Sequence, residues 1–157
     1  MREIKFRGKK DNSRVWDFGN YAISKDGKSF LVNIGKDNIG YIAYLEEVNK
    51  DTIGRYTGLK DKRDREIYEG DIIKFNEQIG EVVFENGTFG IGFNDYIKWE
   101  RLEWNYKDSQ IDDNILPVCY NDHFISFAEI YSICDDFDDV IVIGNIYDNK
   151  DLLGDTK

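Results

Sequence analysis

The sequence contains little histidine, cysteine or proline, and these shortages exclude several kinds of site. His123 is the only histidine among 157 residues, so no second imidazole is available for a histidine-based metal site. Cys119 and Cys134 are the only cysteines and lack C-x-x-C spacing, which suits reduced structural thiols better than a disulfide framework or a zinc site. Pro117 is the only proline. We predict no metal site.

Long apolar segments are also missing. The longest apolar run, Tyr41 to Leu45, is far shorter than the roughly 20 residues of a membrane-spanning helix. The N-terminus, MREIKFR, has basic residues but no continuous apolar stretch behind them, so it does not resemble a secretory signal peptide. The sequence therefore predicts a cytoplasmic protein that does not enter a membrane.

Basic side chains are in the minority. Lys and Arg number 21 against 31 Asp and Glu, which gives a net charge of −10 and disfavours a protein that binds polyanions. Residues 1 to 65 hold 15 basic and 10 acidic side chains, whereas residues 66 to 157 hold 6 and 21. The simpler interpretation is a basic flank packed on an acidic body within one fold. The alternative is self-assembly, in which the basic N-terminal part of one subunit binds the acidic C-terminal part of another.

Short alternating segments with 10 Tyr, 10 Phe and 14 Gly are typical of a β protein. Ile4 and Phe6 share one side of a first strand and are expected to face a core. The segment Val15 to Ala22 completes an opening hairpin, and Phe30 to Ile34 follows the turn Asp26-Gly27. The run Tyr41 to Leu45 is apolar on both faces, which predicts either a central strand or a short buried helical turn.

The clearest pattern lies between residues 67 and 93. Strands are predicted over Ile72 to Phe75, Gly80 to Phe84 and Thr88 to Phe93, with a type I′ turn at Asn86-Gly87. On the last strand, alternate positions 90 and 92 are glycine, which leaves one face flat and permits curvature or close approach of another backbone. Small closed barrels bend in this way.

A short helix is predicted near the C-terminus. Ser126-Phe127-Ala128-Glu129 fits the S-x-x-E capping box, and Ile130, Ile133, Cys134 and Phe137 follow at helical spacing. Val140 to Ile143 is predicted as a strand, followed by a loosely ordered tail from Asp148. We therefore predict a mainly β fold: a small SH3-like barrel with an N-terminal β-hairpin extension and one short helix. It forms a single domain, 1–157, with a hairpin region (1–50), a barrel core (51–104), a variable loop and short helix (105–139), a closing strand (140–147) and a tail (148–157).

Residues able to support catalysis are few. His123 beside Asp122 is a candidate general base, but the sequence has no G-x-S-x-G motif and no Gly-rich phosphate loop. Glu69 and Asp71 resemble part of a nuclease carboxylate set, although Gly-Asp is also typical of a tight turn. The carboxylates of the Asp135 to Asp139 cluster lack the spacing of a calcium loop, and a solvated acidic loop is the simpler interpretation. We predict no catalytic residue and no cofactor, and hence a protein that is not an enzyme.

Two segments suggest an interaction surface. The segment Tyr56 to Tyr68 has apolar ends and a charged middle, which suits either an exposed loop that grips a phosphate or acidic partner, or a solvated turn with local ion pairs. The segment Tyr96 to Tyr106 has more aromatic rings than one face of a short strand buries, and its acidic charge favours protein over nucleic acid. The candidate interaction surface comprises Tyr56, Leu59, Lys60, Lys62, Arg63, Arg65, Tyr96, Trp99, Trp104 and Tyr106.

Four motifs carry a resemblance to a known family. They are REIKFRGK (2–9), IGRYTGLKDK (53–62), EIYEGDI (66–72) and IGNIY (143–147). In this order they resemble the YopX family of bacteriophage and prophage proteins. The resemblance implies a mostly β, SH3-like architecture and a phage context inside a host cell, and it carries over no catalytic residues. The sequence departs from the family pattern at Arg55, at Arg63-Asp64-Arg65, where an Asn-Gly type turn is common, and at Lys150.

These observations lead to three hypotheses. The first is a non-enzymatic phage accessory protein that self-associates as a homo-oligomer and contacts a host or phage protein. The second is a nucleic-acid-associated module that uses the loop Lys60 to Arg65 and the basic N-terminal residues Lys5, Arg7, Lys9, Lys10 and Arg14. The third is a metal-dependent enzyme based on carboxylates.

Overall fold

The computed structural model describes residues 3–75, 77–94, 123–134 and 139–154. In this part the chain is mainly β, with two antiparallel sheets and one short α-helix, as the sequence predicts. The strands occur in two compact units, Met1–Leu59 (unit 1) and Lys60–Lys157 (unit 2). No helix in the described ranges has the length and apolarity needed to cross a membrane. The SH3-like barrel stays a prediction, because neither strand order pairs its two end strands with each other, as a closed barrel requires.

Unit 1 is built on an antiparallel sheet whose strand order is β4-β3-β2-β1-β5. A single turn of 3₁₀ helix, Lys50–Thr52, precedes its last strand, and Asn49 caps this turn by accepting the amide of Asp51 at 2.9 Å. The strands are β1 (Phe6–Lys9), β2 (Trp16–Ile23), β3 (Ser29–Lys36), β4 (Tyr41–Val48) and β5 (Gly54–Lys60).

One face of this sheet holds the core of unit 1. Leu31 is fully buried and lies directly opposite Tyr21, whose ring contacts Phe6 with 5.6 Å between centroids. Ile4, in contrast, is 71% exposed, so the prediction that it faces a core is wrong. The physical reason is that β1 begins only at Phe6, which leaves Ile4 outside the sheet.

Unit 2 contains a five-stranded sheet in the order β10-β9-β8-β7-β11. The strands predicted over residues 72–75, 80–84, 88–93 and 140–143 are confirmed, with small shifts at their ends. The unit contains β6 (Glu66–Tyr68), β7 (Asp71–Phe75), β8 (Gln78–Glu85), β9 (Thr88–Gly92), β10 (Phe124–Ser126), α1 (Phe127–Cys134) and β11 (Ile141–Asn145). Its core includes the fully buried side chains of Ile67, Ile72, Ile73, Val82, Ile91, Ile125, Ile130 and Val140.

The predicted turns and the helix cap are confirmed in unit 2. Asn86 and Gly87 have φ values of 50° and 82°, as a type I′ turn requires. Asp71 is buried and accepts the amide of Tyr68 at 2.8 Å, so it closes a tight turn. Ser126 and Glu129 form the capping box: the Ser126 hydroxyl accepts the Glu129 amide at 3.2 Å, and the Glu129 carboxylate accepts the Ser126 amide at 2.7 Å.

The C-terminal segment is more ordered than predicted. Residues Lys150–Leu153 form a 3₁₀ helix, so the prediction of a loosely ordered tail is wrong for them. The side-chain amide of Asn94, just after β9, donates to the Leu153 carbonyl at 3.0 Å. This contact between residues far apart in sequence holds the segment, and no local pattern predicts it.

Candidate functional site

The most unusual surface of the described chain is the outer hairpin of unit 1. β4 is the end strand of its sheet, and Tyr41 to Leu45 are all exposed. The prediction that this run is a central strand or a buried helical turn is therefore wrong. Periodicity measures apolar character and does not count the neighbours of a strand, and here β3 is the one neighbour within the described residues. We define the hairpin surface by five exposed side chains: Ile34, Tyr41, Ile42, Tyr44 and Leu45.

The hairpin surface extends over both faces of the sheet. Directly opposite pairs Val32/Leu45, Ile34/Ala43 and Lys36/Tyr41 place Leu45, Ile34 and Tyr41 on one face. Ile42 and Tyr44 occupy the other face. Tyr41 is 79% and Ile34 69% exposed, which is unusual for apolar side chains so close together. Scattered apolar residues on a surface need no explanation, but a contiguous set of them is typical of an interface.

The acidic residues of the same hairpin are neutralised within unit 1. Glu46 forms an ion pair with Lys10 at 2.5 Å, and Glu47 forms one with Lys28 at 3.0 Å. These exposed pairs contribute little to stability. They nevertheless reduce the charge that a protein approaching the hairpin surface would meet.

The basic N-terminal residues contact aromatic rings. Arg7 and Lys9 lie on one face of β1, and Lys5 comes just before this strand. Arg7 and Lys9 are only 7% and 5% exposed. The Arg7 guanidinium lies 4.3 Å and the Lys9 ammonium 4.6 Å from the centre of the Trp16 ring. Two of the five cations are therefore covered, and Lys10 is paired with Glu46.

The predicted charged loop is organised by one buried carboxylate in unit 2. Asp61 Oδ1 accepts the amides of Arg63 at 2.9 Å and Arg65 at 3.0 Å. Its Oδ2 accepts the Arg65 guanidinium at 2.6 and 2.9 Å and the amide of Val142 in β11 at 3.1 Å. Burial acts to raise the pKa of Asp61, but the hydrogen bonds from Arg65, Val142 and Arg63 together hold it below its ordinary value.

The structure brings together only part of the predicted interaction surface. Lys60, Lys62, Arg63 and Arg65 are exposed on the loop around Asp61. Lys60 pairs with Asp64 at 2.9 Å, as expected of a solvated turn with local ion pairs. In unit 1, Tyr56 is buried and Leu59 half-buried. The four aromatic residues, Tyr96, Trp99, Trp104 and Tyr106, lie outside the described residues.

A cavity of about 230 Å³ opens on the sheet of unit 2. Glu81 and Glu85 project into it from β8, and Gly92, opposite Glu81 on β9, lacks a side chain to fill it. Its other lining residues are Val83, Phe93, Asn94, His123, Phe124 and Leu153. The sequence singled out His123 and missed Glu81. The sequence did contain a signal for Glu81. Glu81, Val83 and Glu85 occupy alternate positions of β8, on the face that lies opposite Gly90 and Gly92 of β9.

Glu81 is the perturbed group of this cavity. Burial of its carboxylate is the main cause that raises its pKa. The nearby Glu69 carboxylate raises the pKa further, and Lys150 lowers it. Its carboxylate makes no hydrogen bond or ion pair in the part of the chain that the structure describes. Within the same part, no three His, Cys, Asp or Glu side chains are placed to hold a metal ion. Asp139 is exposed, and Asp135, Asp136 and Asp138 lie outside it.

We expect Glu81→Gln to stabilise the protein at pH 7. A carboxyl whose folded pKa is raised destabilises the fold once it is ionised, and this penalty disappears below the unfolded pKa of about 4.3. The stabilisation should therefore be full at pH 7 and vanish on acidification below that value. Urea unfolding at pH 7 and pH 3.5 measures it. Glu85→Gln, an exposed residue of the same cavity, is the control, and an equal gain from both substitutions would contradict the role of burial.

The sequence matches the model of a known protein family. A family model described as YopX protein matches residues 5–154, most of the chain and parts of both units. The resemblance carried by the four motifs is thereby confirmed. No match was found among curated proteins.

Proposed function

This chain belongs to the YopX family, and from that premise we propose a non-enzymatic accessory protein of a bacteriophage or prophage. It acts through protein–protein contacts, including contacts with copies of itself. The observation that carries this proposal is the hairpin surface, five apolar side chains that are 40% to 79% exposed on one β-hairpin. A monomer gains nothing from such a patch, whereas a protein interface gains the free energy of burying it.

The alternatives have weaker support. A nucleic-acid module needs cations that reach solvent. The loop Lys60 to Arg65 offers exposed ones, but Arg7 and Lys9 of the N-terminal set stack on Trp16 and are nearly covered. A carboxylate-based enzyme has Glu81 as its best residue, but among the described residues no three His, Cys, Asp or Glu side chains are placed to hold a metal ion. For the architecture, we retain the predicted SH3-like barrel as a proposal. Its support is the run of five short antiparallel strands in unit 2, with glycines at positions 80, 90 and 92 of β8 and β9 that permit the bending a small barrel needs.

The proposal is tested with the double variant Ile34→Lys/Leu45→Lys, which places two charges on one face of the hairpin surface. Tagged wild-type and variant chains are incubated with bacterial lysate to which the untagged wild-type chain has been added, at low and high salt, with and without nuclease. We expect the wild type to retain a stoichiometric protein, either its own untagged copy or another chain, in a form resistant to nuclease. The variant should lose it, because a buried interface does not accept unpaired charges.

The matched control is Val15→Lys, which changes an apolar residue of unit 1 that is 69% exposed and lies outside the hairpin. It should retain the same protein as the wild type. Capture of nucleic acid alone, in a salt-sensitive manner and equally by all three chains, would replace this proposal with the nucleic-acid hypothesis.

A further inference from the structure

We propose that the outer edge of β4 is a contact between two copies of this chain. The two β4 strands pair antiparallel about a two-fold axis that passes beside Ala43, so that two sheets become one continuous sheet. This inference rests on the proposed function and specifies the partner, a second copy, and the geometry of the contact.

The first argument is the character of the edge. β3 and β4 pair over eight consecutive residues without a register shift, so β4 presents a long, regular outer edge. Natural proteins protect such edges with proline, lysine, bulges or very short strands, because unpaired amide and carbonyl groups recruit another strand. β4 carries none of these features. Its two charged residues, Glu46 and Glu47, lie near one end and are already paired with lysines of unit 1.

The second argument is that the strand is complementary to itself. In an antiparallel pair related by a two-fold axis, opposite residues share a face, so the axis passes beside a residue. An axis beside Ala43 places Tyr41 opposite Leu45 and Ile42 opposite Tyr44 of the other copy. The whole uncharged run is then matched with itself, and aromatic and aliphatic side chains pair across the strands. An axis beside Tyr44 would instead place Glu46 opposite Ile42.

The third argument is charge. Lys36 is exposed beside Tyr41, with its ammonium 5.9 Å from the ring centre, at one end of the hairpin. Glu46 and Glu47 lie at the other end. Antiparallel pairing places Lys36 of each copy near the Lys10–Glu46 and Lys28–Glu47 ion pairs of the other copy, and it keeps the two Lys36 side chains at opposite ends of the contact, so they do not repel each other.

A charge-swap experiment on the full chain tests the pairing. Ala43 is exposed, so Ala43→Lys and Ala43→Glu leave the core intact. In the two-fold pair, position 43 faces itself, which opposes two lysines in one homodimer and two glutamates in the other. We expect each variant alone to dimerise about fivefold more weakly than the wild type, since like charges directly opposite each other are destabilising. An equimolar mixture should recover wild-type affinity by pairing lysine with glutamate.

Sedimentation velocity over roughly 1 to 100 µM provides the readout, a range suited to a small interface. The matched control is Ala22→Lys, an exposed alanine of β2 in the same sheet but not at its edge, and it should dimerise like the wild type. Equal weakening by Ala22→Lys would overturn edge pairing in favour of packing between sheet faces. Failure of the mixture to recover affinity would overturn the two-fold register.

The outcomes also separate this inference from the proposed function. A wild-type chain that stays monomeric at 100 µM, at the upper end of the roughly micromolar range chosen, overturns the inference. If that monomer still captures another protein through the hairpin surface, the proposed function stands without its self-association, and β4 serves a different chain. If Ile34→Lys/Leu45→Lys changes no association of any kind, the proposed function fails as well.

Discussion

Replacing Asp61 with asparagine should lower the free energy of unfolding by about 3 kcal/mol, because it breaks a buried, charge-assisted network. The Asp61 side chain has no exposed area and accepts hydrogen bonds on both carboxylate oxygens. In the Asp61→Asn variant one of these oxygens is replaced by an NH₂ group. A donor would then face either the amides of residues 63 and 65 or the guanidinium of Arg65 and the amide of Val142.

The network explains why the effect should be global within unit 2. Asp61 connects the loop to β11 through the Val142 amide, 81 positions away in the sequence. β11 in turn is the end strand that pairs with β7. Loss of the carboxylate therefore loosens the edge of the five-stranded sheet as well as one turn, and hydrogen exchange at the Val142 amide should report this directly.

Asp64→Asn is the matched control, because it removes the same charge from the same loop. Asp64 is 84% exposed, and its single ion pair with Lys60 should contribute well under about 1 kcal/mol. Its φ of 63° lies in the left-handed region, which asparagine tolerates as well as aspartate does. Urea unfolding of both variants gives the comparison. Equal destabilisation by the two would show that charge in the loop, and not the buried network, is what matters.

The difference between wild type and Asp61→Asn should also depend on pH. The folded pKa of Asp61 is lowered, so its carboxylate stabilises the fold above the unfolded pKa of about 3.9 and loses this contribution as pH falls through the folded value. The stability gap should therefore be largest at neutral pH and narrow on acidification. A gap that widens in acid would contradict the ionised state of Asp61.

Local chemistry made much of the fold predictable from the sequence. Asn86-Gly87 requires positive φ at two positions, the Ser126/Glu129 box satisfies free amides, and Gly70-Asp71 closes a turn, so each signal acts within a few residues. The prediction failed for Tyr41 to Leu45, where the same apolar pattern suits a covered strand or an exposed edge. Only the strand order distinguishes these, and it depends on residues far away in the sequence.

The candidate sites were less predictable than the fold for the same reason. The loop at Asp61 was recognised as charged, but its role depends on Val142, which no spacing rule connects to it. Glu81 becomes notable only because Glu69 lies near it and Gly92 leaves space opposite it. The hairpin surface, in contrast, is visible in the sequence as an apolar run. Its meaning changed once the structure placed that run at an edge.

Gly90→Ala should destabilise unit 2 by about 3 kcal/mol or more, because the new methyl group would collide with backbone atoms that cannot move aside. A Cβ at Gly90 would overlap the carbonyl oxygen of Ile125 and lie 2.6 Å from the ring of Phe124. β10 would have to move away from β9, and its three paired positions with β9 would be disturbed. The sequence pattern had indicated a close backbone approach on this face, and Gly90 is where it occurs.

Gly92→Ala separates steric conflict from the general effect of adding a methyl group. Gly92 lies on the same strand and face, but its nearest contact to an added Cβ is Val83 Cγ2 at 3.3 Å, a side chain that can shift by a few tenths of an ångström. We expect this variant to unfold at nearly the wild-type urea concentration, while Gly90→Ala loses protection from hydrogen exchange first in β10. If both glycines tolerate alanine equally, β10 does not lie against Gly90 in solution. If only Gly90→Ala is destabilised, the flat face of β9 exists because another backbone occupies the space of the missing side chain.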